Sequence, residues 1–135
     1  MKIALGSDHA GFELKEDLRA YLAERQVEVS DLGACSEAPG DYPDVAVKVA
    51  EKVSRGEVER GLLICGTGIG MSIVANRFAG VRAALCHDVS TARLSREHNN
   101  TNILALGGRL IGKGLAREIL KVWLESEFQG GRHER

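Results

Sequence analysis

Cys65 stands directly before Gly66-Thr67-Gly68-Ile69-Gly70, at the end of an apolar run. Glycines let a backbone turn tightly and aim several N–H groups at one point, at the positive end of the following helix. Such a cradle suits an anion, either a phosphate or a developing oxyanion. A thiol beside it is suited to act as a base or a nucleophile. The same residue also reads as a small core side chain, since free cysteines are among the most buried types. The run is not a Walker loop, because no Lys-Ser or Lys-Thr follows it. Its spacing is not the G-x-G-x-x-G of dinucleotide binders. A tyrosine-phosphatase loop would need Arg where position 71 is Met.

Three further segments carry reactive or charged groups. Gly6-Ser7-Asp8-His9-Ala10-Gly11 offers a carboxylate and an imidazole, which also read as a helix cap. His98, set among Glu97, Asn99, Asn100, Thr101 and Asn102, has a side chain that titrates near neutrality and suits acid–base work. It also reads as a helix C-terminal histidine facing the dipole. Arg109, Arg132 and Arg135 suit bidentate phosphate recognition or simple solvation. Cys86-His87 lacks metal-ligand spacing to any other Cys or His, so no metal site is expected.

These residues need a scaffold, and the hydrophobic pattern supplies one. Residues 2–6, 27–32, 61–65, 81–86 and 102–106 read as strands. Between and after them lie helical patterns over 11–25, from about Pro43, over 70–78, 89–98 and 113–127. The expected inward stripes are Leu14, Leu18, Tyr21 and Leu22; then Val45, Val49 and Val53; then Leu94; then Leu115, Ile119, Val122 and Trp123. Residues 34–41 read as a loop and 129–135 as a polar tail. Strand and helix alternating in this way predict an α/β fold. The expected form is one Rossmann-like three-layer domain over 1–135, with a five-stranded parallel sheet in the order 2-1-3-4-5. Ligands of such sheets bind beyond the C-terminal strand ends, at the switch between strands 1 and 3. Asp8, His9, Cys65, His87 and Arg109 all follow strand ends.

Composition narrows the classes. The chain has 18 Lys plus Arg against 19 Asp plus Glu, a net charge of -1, and 4% aromatics. No basic face for nucleic acid is evident. Apolar runs are far shorter than the roughly 18 residues a membrane span needs. The N-terminus is too soon interrupted by Asp8 for a signal peptide. Three scattered cysteines suit a reduced cytoplasmic protein better than a disulfide scaffold.

Together, Gly6-Ser-Asp-His-Ala-Gly-Phe12, Asp41-Tyr-Pro43, Cys65-Gly-Thr-Gly-Ile-Gly70, Ser95-Arg-Glu-His-Asn99, Asn102, Gly107-Gly-Arg109 and Gly130-Gly-Arg-His133 resemble the ribose-5-phosphate isomerase B family. That group also includes galactose-6-phosphate isomerase. The resemblance implies a cofactor-free aldose–ketose isomerase of a small phosphorylated sugar. It implies a homodimer or dimer of dimers with active sites at the subunit interface. It implies Cys65 as the base at C2, His98 as the ring-opening acid, and Thr67 as a proton shuttle. Asp8 and Tyr42 would lie at the sugar. The amides of Gly66, Thr67, Gly68, Ile69 and Gly70, with Asn99, would stabilise the enediolate. His9, Arg109 and Arg132 would hold the phosphate. The family often has a second tail arginine slightly beyond Arg135, so either Arg135 takes that place or the last phosphate contact is missing. Competing readings are a hexose 6-phosphate isomerase, a non-catalytic sugar-phosphate binding module, and a thiol redox sensor. Retention of both Cys65 and His98 in one chain argues for a self-sufficient isomerase over the split subunits of the galactose enzymes and over a pure binder.

Overall fold

A computed structural model describes residues 1–33 and 42–130. The elements run β1 (Lys2–Ser7), a short 3-10 turn (His9–Gly11), α1 (Phe12–Glu24), β2 (Glu28–Gly33), α2 (Tyr42–Ser54) and β3 (Arg60–Cys65). They continue α3 (Ile69–Ala75), β4 (Ala83–Leu85), α4 (Val89–Asn99), β5 (Ile103–Gly107) and α5 (Lys113–Glu125). The expected loop over 34–41 and the tail from 131 lie outside the described residues.

All the strand pairs are parallel, and the sheet order is β2-β1-β3-β5-β4. This corrects the expected order: β5, not β4, pairs with β3. The reason is burial. β5 (Ile-Leu-Ala-Leu-Gly) is buried along its whole length and needs a strand on each side. β4 has three residues, all half-buried, and serves as an edge. Crossovers in parallel sheets are right-handed. The chain moves one way from β3 to β4 and back from β4 to β5, so α3 and α4 fall on opposite faces. One core layer joins Leu14, Leu18 and Leu22 of α1 with Ala92 of α4 and Ile119, Leu120 and Trp123 of α5. The other joins Val49 and Val53 of α2 with Met71 and Ala75 of α3. Side chains of β3 alternate between them, Leu62 and Ile64 to the first layer and Leu63 and Cys65 to the second.

Two expected inward residues face out. Leu94 is 38% exposed and Leu115 is 40% exposed. In α4 the buried positions are Ala92, Ser95 and Arg96. Two polar residues occupy the inward stripe because Thr101 and Trp123 bond to them or beside them. Ser95 Oγ lies 2.9 Å from Thr101 Oγ1, and Trp123 Nε1 donates to the same oxygen at 3.0 Å. On α5, Ala116, Ile119, Leu120 and Trp123 are buried, while Val122 is only half-buried.

Candidate active site

The C-terminal ends of β1, β3 and β5 converge. The Asp8 amide donates to the Ile64 carbonyl at 3.2 Å, tying the chain after β1 to β3. After β5, Gly108 N–H donates to Cys65 O at 2.7 Å and Arg109 N–H to Gly66 O at 3.0 Å. The segment carrying Arg109 therefore tracks the cradle residue by residue. The Arg109 side chain lies over Gly66, where an added Cβ would meet its Cδ at 3.5 Å. The revised strand order brings this about: with β4 beside β3, Arg109 would stand a strand further off.

Cys65 is 6% exposed, and its Sγ accepts the Gly68 N–H at 3.1 Å. Thr67 is exposed, and its Oγ1 accepts the Ile69 N–H at 3.2 Å. Two amides of the expected cradle are thus engaged within the loop, one of them on the sulfur itself. Gly68 has φ +83°, and a Cβ there would come within 2.5 Å of Leu85 Cδ1. Both facts require glycine. Gly107 is equally constrained, because a Cβ would lie 2.8 Å from Thr67 O. The helix that follows begins at Ile69, so Gly70 lies in its first turn.

Asp8 caps the 3-10 turn, its Oδ1 accepting from Gly11 N–H at 3.0 Å. His9 is half-buried. Among the described residues, three buried side-chain atoms lack a hydrogen-bond partner: Ser7 Oγ, His9 Nδ1 and His87 Nε2. All three follow or end β1 or β4 on the same edge of the sheet. Buried polar atoms are ordinarily paired, so unpaired ones after two C-terminal strand ends point to this edge as the ligand side. Ser7 and His87 have no place in the sequence-based site. A serine ending a buried strand and a histidine following one were the available signals. Asp88, by contrast, caps α4: its Oδ1 accepts the Thr91 N–H at 2.7 Å, and these bonds hold its carboxyl below the usual carboxylate range. Burial pushes the Cys86 thiol up, as for a core residue.

His98 and Asn99 lie elsewhere. They end α4, which delivers the chain to the start of β5. Gly61 pairs with Ile103 and Cys65 with Gly107. Those rungs are four residues apart, about 13 Å along the strands. Asn102 O accepts from Gly61 N–H at 2.8 Å, so the end of α4 lies beyond the lower rung. Within one copy, then, Cys65 and His98 stand at opposite ends of the sheet. Asn99 is exposed, and its carbonyl accepts from Arg82 Nη1 at 3.2 Å. Tyr42 opens α2. Arg132 and Arg135 lie outside the described residues.

The fold that carries these residues is shared with known proteins. A model of the ribose/galactose isomerase family matches residues 3–135. The chain belongs to this family. Ribose-5-phosphate isomerase B of Escherichia coli is 53% identical over 133 residues, covering 98% of this chain and 89% of that protein. A D-erythrulose-4-phosphate isomerase of Pectobacterium atrosepticum is 46% identical, covering 97% of this chain and 87% of its own. The structure of Clostridium thermocellum ribose-5-phosphate isomerase B superposes with a TM-score of 0.98 at 53% identity, covering 99% of this chain and 90% of that one. The likeness covers 99% of this chain, so it rests on more than the glycine loop.

Proposed function

We propose that this chain interconverts ribose 5-phosphate and ribulose 5-phosphate without a cofactor, in a site shared by two copies. The observation that carries it is Cys65 Sγ at the end of β3, accepting an amide of its own loop, with Arg109 alongside. Arg109 and His9, with the tail arginines, hold the phosphate. Asp8 binds the sugar hydroxyls, and Tyr42 is assigned to the sugar by the family resemblance alone. His98 and Asn99 come from a second copy, because those of the same copy lie at the far end of the sheet. A reduced, cytoplasmic setting suits the free thiol.

The chemistry follows from these placements. The furanose opens as the C1–O4 bond breaks. His98 passes a proton to O4, the C1 hydroxyl gives up its own to water to become the aldehyde, and water returns a proton to His98. The Cys65 sulfur then takes the proton from C2. The electron pair left behind forms the C1=C2 bond, and the carbonyl pair moves onto O1. Thr67 Oγ1 relays the O2 proton to O1. The charge on O2 collapses to a carbonyl at C2, and C1 recovers the proton from sulfur. Asn99 and loop amides stabilise the enediolate oxygens. Preorganised donors of this kind supply factors of roughly 100 to 1000 in rate.

The test is isomerisation of ribose 5-phosphate by the purified protein, with Cys65→Ala alongside. Loss of the base is expected to lower kcat by roughly 100- to 10,000-fold, with sugar-phosphate binding retained. Tetrose 4-phosphate and hexose 6-phosphate run as parallel substrates, the tetrose because of the erythrulose-phosphate relative. Turnover of a hexose or tetrose in preference to the pentose would move the substrate assignment. Binding without turnover of any would make the chain a binding module.

A further inference from the structure

Arg96 is 7% exposed, yet among the described residues no carboxylate lies within ion-pair distance of it. Its guanidinium spends its donors on three oxygens from two separate segments. Nη1 donates to Asn100 Oδ1 at 3.0 Å and, by a short bond, to the Thr101 carbonyl. Nε donates to the Ser126 carbonyl at 3.3 Å. A buried cation matched only by neutral acceptors is costly. Burial lowers its affinity for a proton. A second guanidinium, Arg60, lies close enough for the like charge to reinforce the effect of Arg60's own burial, which brings Arg60 to about 10. Core packing alone would favour an apolar residue here.

What these two segments carry explains the placement. Asn100 is the C-cap of α4 in the left-handed region, φ 49°, directly after His98 and Asn99. Thr101 leads into β5. Ser126 starts the chain that leaves α5, and three residues later Gln129 N–H donates to the Glu97 carbonyl at 3.0 Å. The start of the tail, at Gln129, is thus laid against α4 one residue from His98. Residues two apart on a helix are turned about 200° from one another, so Arg96 facing the core leaves His98 on the opposite side of the helix.

We propose that Arg96 is the positioning residue that locks the His98–Asn99 helix end and the C-terminal segment into one fixed arrangement. The proposal rests on the reading of His98 as ring-opening acid and of the tail as phosphate ligand. Lysine keeps the charge but has a single nitrogen in place of the planar fork, so Arg96→Lys is the decisive variant. Asn100→Gly is the second: it keeps the left-handed cap, removes one acceptor, and leaves the core intact.

A loosened tail raises KM for every phosphorylated substrate, because phosphate binding is largely uniform along the reaction. A loosened His98 lowers kcat only for a substrate that must open a ring. Ribose 5-phosphate does so; a tetrose 4-phosphate, with its C4 oxygen esterified, does not. Arg96→Lys is therefore expected to raise KM for both and to lower kcat for both through Asn99, with a further loss for the pentose through His98 that brings its drop to about 10- to 100-fold, from the loss of charge-assisted bonds. Asn100→Gly should show the same pattern, weaker. An equal kcat loss on both substrates with KM unchanged would mark Arg96 as a merely structural residue and overturn the proposal. Amide exchange separates this from failure of the isomerase reading. In Arg96→Lys the Gln129 and Asn100 amides should exchange about tenfold faster, with β5 amides unchanged. If wild type turns over no sugar phosphate but this exchange pattern holds, the isomerase reading fails and the positioning stands. If those amides stay as slow as in wild type, the positioning is wrong whatever the activity.

Discussion

Arg109 and Arg96 are both arginines near glycines or amides, and their environments give them different work. Arg109 is exposed beside the cradle, over Gly66. Arg96 is enclosed by backbone carbonyls. In the proposed mechanism Arg109 meets a phosphate that does not change during the reaction. Arg109→Ala is expected to raise KM by about 10- to 100-fold, the worth of hydrogen bonds to a charged group, with kcat near wild type. Steady-state kinetics on ribose 5-phosphate checks this, and a change confined to kcat would place Arg109 at the reacting carbons. Cys65 was readable as a candidate because a thiol before three alternating glycines is unusual. Arg96 was not, because an arginine within a polar helix pattern reads as solvated. Only its neighbours reveal that it points inward.

At the scale of elements, α1 and α5 are clamped together across the same face of the sheet. Arg117 donates through Nε to Asp17 Oδ2 at 2.9 Å and through Nη2 to Asp17 Oδ1 at 3.0 Å. These bonds, and then the charge of Arg117, hold the Asp17 carboxyl below the usual carboxylate range. The folded chain thus binds this proton less readily than the unfolded chain. The stabilisation is fully present above the unfolded carboxylate value, about pH 4, and is lost as pH falls through the lower folded value. Asp17→Asn should unfold at lower urea at pH 7 and show a shallower further loss below about pH 4 than wild type. A urea series from pH 7 to 2.5 tests it, and parallel acid limbs would exclude the pair as a contributor. The elements and their order along the chain followed from periodicity, but the brevity of β4 and the inward face of α4 did not. Leu94 was the apolar candidate, and a hydrogen-bonded Ser95–Thr101–Trp123 group displaced it.

The whole molecule decides where the two proposed catalytic side chains meet. Cys65 ends β3 and His98 ends α4, so the sheet's length separates them in one copy. Two copies placed end against end can supply one of each to every site. Cys65→Ala and His98→Asn should each be inactive alone on ribose 5-phosphate. Unfolded and refolded together in equal amounts, they should recover about one quarter of wild-type activity, since half the dimers are mixed and each has one intact site. No recovery in demonstrably mixed dimers would place both residues in a single copy's site and contradict the geometry. Exposed Ile69 and Ile73 lie on α3 beside the cradle, where a second copy of the proposed assembly would cover them.

By itself the sequence determined the alternation of strand and helix, the parallel sheet, and the glycine cradle with its thiol. These depend on local periodicity and on conformations that only glycine adopts without strain, so they can be read along the chain. The tertiary structure alone decided which strand lies beside β3. Both orders satisfy the same pattern, and only the burial of β5 and the shortness of β4 separate them. That choice sets Arg109 against Cys65. The structure also decided that Arg96 points inward and that His98 lies a strand's length from Cys65. Both are facts of direction and distance between segments far apart in sequence, and no local pattern encodes them.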